Sequence, residues 1–159
     1  MMILKRVSEL RQRMEEHKID AFIIPRADEH QNEYLASSDE RVRYISGFTG
    51  SAATVIISKN KAALFTDGRY TIQAKRQVDE SIFQLCHSVD HPMNVWILKN
   101  LSDKITIGFD PKLHTAKQIE NLNKDLSSKN IVVTPSVNLV DLIWTNQPPI
   151  PQKKVFIHH

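Results

Sequence analysis

The sequence predicts an α/β domain: a six-stranded mixed sheet with helices on both faces. Three observations predict it. Short apolar runs alternate with amphipathic segments of about ten residues, the pattern of strands joined by helical crossovers. Two of the runs, Ala53 to Ile57 and Ala62 to Phe65, are separated only by Ser58-Lys59-Asn60-Lys61, which is short enough for a hairpin and introduces an antiparallel pair. The chain's 159 residues suffice for one such unit with its own core.

The elements follow in order. Leu4, Val7, Leu10 and Met14 recur at spacings of three and four among charged residues, so a helix is expected over residues 2–17. Ala21 to Ile24 reads as a buried strand ended by Pro25. The polar stretch from Pro25 to Tyr44 is too charged for core and too long for a turn, which predicts a structured excursion with short helices. After the hairpin, Tyr70, Ala74 and Val78 mark a helix over 69–78, and Ile82 to Cys86 a strand. Pro92 to Leu101 reads as a helix with proline near its first turn, and Ile105 to Phe109 as a strand. Ile119, Leu122 and Leu126 mark a further helix, Ile131 to Thr134 the sixth strand, and Val140 to Trp144 a short helical piece. Gln147-Pro148-Pro149-Ile150-Pro151 reads as a stiff extended linker. The chain therefore divides into a domain over 1–146 and a segment 147–159, the linker and the strand-like start of a second, truncated domain.

Composition narrows the function classes. The hydrophobic share is 41% and the charged share 25%, ordinary for a globular domain. No apolar run approaches the roughly 20 residues of a membrane span, and the amino-terminal segment is too interrupted by charge for an export signal. Net charge is +3, with 21 basic and 18 acidic residues interspersed, so nothing points to a nucleic-acid partner. The one cysteine, Cys86, falls in an apolar run; a reducing cytoplasm is the expected compartment.

Of the chain's four glycines, three flank the hairpin, at Gly47, Gly50 and Gly68. Ser46-Gly47-Phe48-Thr49-Gly50-Ser51 is then a constrained loop, either a tight turn feeding a strand or a ligand loop, without phosphate-loop spacing. Thr66-Asp67-Gly68-Arg69-Tyr70 joins strand to helix with Asp67 placed to cap. Arg69 stands in the first turn, where a cation opposes the helix dipole. It needs an anion, which is either Asp67 or a surface carboxylate, or else belongs to a ligand. His87 and His91 lack further clustered donors and make a poor metal pair, while Trp96 and Trp144 are expected to fill core or a domain contact.

Five blocks in order, PRADEHQNEYL (25–35), SGFTGSAATVII (46–57), LFTDGRYTIQA (64–74), IGFDP (107–111) and LVDLIWTNQPPIP (139–151), closely resemble the amino-terminal region of cytosolic-type Xaa-Pro aminopeptidases. Ala53 departs from the pattern, which often carries glycine there. The resemblance implies a creatinase-like, ribonuclease-H-like amino-terminal domain, followed by a second similar domain and a catalytic pita-bread domain. In such enzymes two divalent ions, typically manganese, bind Asp, Asp, His, Glu and Glu and activate a hydroxide against the Xaa-Pro bond. Those ligands are expected beyond residue 159, so neither a catalytic residue nor a metal is expected within this chain.

The role the resemblance implies is to wall the active-site cleft and contribute to subunit contacts. Its partners are the chain's own downstream domains, a peptide with proline second, and a second copy in a homodimer. The cleft-facing candidates are His30, Gly47, Phe48, Gly50, Ser51, Asp67, Arg69 and Tyr70, with Arg69 meeting a peptide carbonyl or carboxylate. The alternative is a binding module of a non-enzymatic pita-bread protein, such as a histone-chaperone subunit. A ribonuclease-like catalyst, suggested by fold alone, would need converging carboxylates that Asp67 and Asp110 by themselves do not supply.

Overall fold

A computed structural model describes residues 2–154. Six strands form one sheet: β1 (Ala21–Pro25), β2 (Ala53–Ser58), β3 (Ala62–Thr66), β4 (Gln84–His87), β5 (Thr106–Phe109) and β6 (Val132–Pro135), in the spatial order β4-β3-β2-β1-β5-β6. β2 runs antiparallel to both its neighbours, whereas β3–β4, β1–β5 and β5–β6 pair in parallel. Five strands thus end at the same edge of the sheet, where β2 begins. That edge gathers Arg26, Ala53, Asp67, His87 and Asp110, and in open α/β sheets it is where ligands are usually bound.

Among the described residues, five α-helices cover the two faces. α1 (Met2–Glu16), α2 (Arg41–Ser46) and α3 (Thr71–Gln77) lie on the first, and α4 (Met93–Asn100) and α5 (Ala116–Leu126) on the second. Strand alternation divides the core accordingly: Phe22 and Ile24 of β1 pack with Val7, Leu10 and Met14 of α1, while Ala21 and Ile23 pack with Trp96 and Ile97 of α4. Cys86 is buried in this second layer. α1 closes on Lys18 in the left-handed region (φ 56°), with the Ile19 N–H returning to the Met14 carbonyl at 2.8 Å. A reciprocal capping box between Thr115 and Gln118 starts α5.

Two elements differ from expectation. β4 pairs from Gln84 rather than Ile82, because the Ile82 and Phe83 N–H groups both donate to the Asp79 carbonyl in a turn that precedes the strand. The apolar spacing of Val140 to Trp144 suggests a helix, but the segment is a series of turns, with the Ile143 and Trp144 N–H groups sharing the Val140 carbonyl. Long-range contacts hold it instead: Arg41 grips Asp141 through Nε (2.7 Å) and Nη2 (3.0 Å), and the Tyr44 hydroxyl donates to the Ile143 carbonyl. Trp144 stacks on Tyr44 at 4.6 Å, whose ring also lies 4.0 Å from the Arg6 guanidinium. Residues 147–154 carry no regular secondary structure, and the strand expected after them lies outside the described residues.

Candidate functional site

The edge chemistry starts where β3 ends. The Thr66 hydroxyl donates to the Ala52 carbonyl at 2.6 Å, tying the end of β3 to the start of β2. Asp67 then leaves the sheet in extended conformation and its carboxylate accepts the Arg69 N–H at 3.0 Å, capping the single turn Gly68–Tyr70 that leads into α3. The same carboxylate takes Arg69 Nε at 3.0 Å and Nη2 at 2.8 Å. Arg69 therefore finds its anion two residues away.

This fork hydrogen bond is the main reason the Asp67 carboxyl lies below its ordinary range; partial burial opposes it, and the Arg69 N–H and the charges of Arg69 and His87 add to it. Arg69 stays 64% exposed, and its Nη1 makes no hydrogen bond among the described residues. The guanidinium lies 5.2 Å from the Tyr70 ring centroid.

The glycine loop packs directly against this turn. Gly47 ends α2 in the left-handed region (φ 82°), donating to the Arg43 carbonyl, and turns the chain toward β2. Phe48 is fully buried and meets Tyr70 edge-on at 5.9 Å. Gly50 lies between those rings: a Cβ there would stand 2.3 Å from Phe48 Cζ and 2.7 Å from Tyr70 Cδ1. Thr49 is held from α3, its N–H on Gln77 Oε1 at 3.0 Å and its hydroxyl accepting from Gln73 and Gln77. Ser51 Oγ is 2.6 Å from the Tyr70 hydroxyl and donates to Glu33 Oε1 at 3.3 Å. The bond with Ser51 is the chief cause lowering the Tyr70 phenol below its usual value.

Seven of the eight candidate residues are thus joined into one patch. His30 is placed apart: its N–H turns onto Asp28 Oδ1, its ring is exposed beside Glu29, and it lines a hollow of about 720 Å³ with Asp39, Arg41, Asp110 and Asn138. Glu33 and Arg26 belong to the patch although sequence reasoning did not single them out. Glu33 lies within a motif block but nothing local marks its partner, Ser51, 18 residues on.

His87, opposite Thr66 in register, faces the patch from β4, pairs with Asp90 at 3.1 Å, and approaches Gly68. Among the described residues no group of three or more His, Cys, Asp or Glu is arranged to hold a metal ion. Asp67 and Asp110 follow strands separated by two others, about 14 Å across the sheet, too far to share one.

Residues 6–143 match the model of the creatinase/prolidase N-terminal domain. The chain belongs to that family. Probable Xaa-Pro aminopeptidase P of Aspergillus fumigatus is 43% identical over 158 residues, covering 97% of this chain and 24% of the relative. Xaa-Pro aminopeptidase 2 of Rattus norvegicus is 41% identical over 154 residues, 95% of this chain and 23% of the relative.

Among solved structures, X-prolyl aminopeptidase of Caenorhabditis elegans, described as a cytosolic enzyme with a di-nuclear active site, superposes with a TM-score of 0.88 at 32% identity, covering 95% of this chain and 27% of that one. The N-terminal domain of the cytoplasmic peptidase PepQ of Mycobacterium tuberculosis shares the fold, with a TM-score of 0.68 at 22% identity over 87% of this chain and 98% of that one. The chain spans about a quarter of the length of the Xaa-Pro aminopeptidases it matches.

Proposed function

We propose that this creatinase/prolidase N-terminal domain, residues 1–146, walls the active-site cleft of an Xaa-Pro aminopeptidase. The observation that carries the reading is Arg69: a guanidinium pinned bidentately on Asp67, largely exposed, with Nη1 making no hydrogen bond among the described residues. Because Asp67 already balances its charge, the remaining donors suit a peptide carbonyl at least as well as a carboxylate. Tyr70, Ser51 and the Gly47–Ser51 loop shape the surface beside it.

Among the described residues no side-chain cluster fits a dinuclear metal centre; under this proposal the two divalent ions, with manganese expected, and the hydrolysis they support belong to a separate catalytic domain. In this reading the substrate is a peptide with proline second, residues 147–159 lead into the next domain, and the enzyme is a cytoplasmic homodimer. The buried lone cysteine supports that compartment, and no helix among the described residues is long and apolar enough to cross a membrane.

The test is Arg69→Ala in the full-length enzyme. Loss of one charge-assisted hydrogen bond to substrate lowers kcat/KM by about ten- to a hundredfold. Thermal stability is expected to fall only slightly, by the small share of the solvent-screened pair with Asp67, and metal content to stay as in the parent. An unchanged kcat/KM with full metal content overturns the assignment.

A further inference from the structure

Arg26 follows β1 directly, and its N–H donates to the Ala53 carbonyl across the sheet at 2.9 Å. Its side chain is only 8% exposed. Nη1 donates to the Glu33 carbonyl at 2.8 Å and to the Ser51 carbonyl at 3.1 Å, and Nη2 to Glu40 Oε1 at 3.1 Å. One planar fork therefore holds three segments, 7, 25 and 14 residues away. A lysine has no such fork and reaches fewer of these acceptors from one position.

The arrangement is costly in a way that stability alone does not explain. Arg26 Nε is buried without a hydrogen-bond partner among the described residues, and the charge it carries is withdrawn from water against a single carboxylate. Such local departures concentrate where a geometry serves something other than packing. Here the geometry is that of Ser51, whose carbonyl rests on Arg26 while its hydroxyl contacts Tyr70 and Glu33. A shift of one end of Ser51 moves the other.

We infer that Arg26 is a positioning residue, setting where Ser51 and Glu33 stand against Tyr70 and, through Tyr70, beside Arg69. It touches no substrate itself. The inference deepens the proposed cleft-wall function and rests on it for its kinetic consequence, but the ordering of the two loops is a property of this chain alone.

The experiment compares Arg26→Gln, Arg26→Lys and the double variant Arg26→Gln/Glu40→Gln with Arg69→Ala in the full-length enzyme, alongside amide exchange of this 159-residue chain. The double variant removes both charges, so no carboxylate is stranded if the single variant folds poorly. Arg26→Gln raises KM on the order of tenfold with kcat changed little, and Arg26→Lys recovers part of the loss. The Asn32 and Thr49 amides exchange faster in the variants while those of Val55 to Ile57 keep their protection.

If Arg69→Ala raises KM and none of the Arg26 variants does, the inference falls and the cleft-wall reading stands. If Arg69→Ala changes nothing, that reading falls, and the exchange data decide Arg26: unchanged loop amides overturn it, faster ones sustain it.

Discussion

The Ser51 hydroxyl stands 2.6 Å from the Tyr70 phenol and so joins the loop entering β2 to the turn leaving β3. Tyr70→Phe removes that bond but leaves Ser51 its contact with Glu33 and Tyr70 its edge contact with Phe48. A modest drop in the urea midpoint of the chain is expected, that of one lost hydrogen bond. Tyr70→Ala removes the aromatic pair as well and is expected to lower the midpoint further. Equal midpoints for the two variants would show that the Phe48–Tyr70 contact stabilises nothing.

Gly50 permits the close approach of Phe48 and Tyr70. A methyl group at this position meets both rings inside van der Waals contact, and neither can retreat freely, since Phe48 is fully buried and Tyr70 is held by Ser51. Gly50→Ala is therefore expected to destabilise the chain by about 1–3 kcal/mol through overpacking. The altered ring packing should also appear in the near-ultraviolet circular dichroism. A variant as stable as the parent contradicts this packing.

Asp67 supplies a pH signature. Its carboxyl is held below the ordinary range chiefly by Arg69, so the folded state favours the charged form. The resulting stability is full above the unfolded value near 3.9 and is lost as pH falls through the depressed folded value. Because Arg69 is largely exposed, solvent screening keeps the pair's share small. The gap in urea midpoint between the parent and Asp67→Asn is expected to be open near pH 6 and to narrow at about pH 2.5. A constant gap would show that the carboxylate charge is not what Arg69 stabilises.

Much of this architecture is legible in the sequence, for identifiable reasons. α1 and α5 declare themselves because each has one face to bury, which imposes a period on the residues; the hairpin, buried on both faces, declares itself as two unbroken apolar runs around a short polar break. The Asp67 cap and the Gly47 turn are readable because both act within a few residues of themselves. What local reading misses is pairing at a distance. Leu139, Val140, Ile143 and Trp144 have helical spacing, yet Arg41, Tyr44 and Asn138 take up the segment's polar groups and leave it as turns. Ile82 and Phe83 look like strand because they are apolar, but Asp79 claims both amides. Arg26 and Glu33 escape notice for the same reason: their partners include backbone carbonyls and a serine whose proximity only the folded sheet edge creates.

Arg41 tests how far such a distant pairing is structural. Its side chain is 10% exposed and binds Asp141 twice and Asp39 once, with Gln147 adding bonds to Asp141 and to the Ser38 carbonyl. Arg41→Ala strands two carboxylates at a half-buried site and is expected to cost about 3–5 kcal/mol. Removing the charge on both sides, Arg41→Met with Asp141→Leu, takes away the attraction but also the desolvation, and should cost less than the single change. Chemical denaturation of the two variants beside the parent measures the difference. A double variant no more stable than Arg41→Ala would mean that the fork of Arg41 on Asp141 is itself what stabilises the turns after Asn138, rather than merely fixing their position.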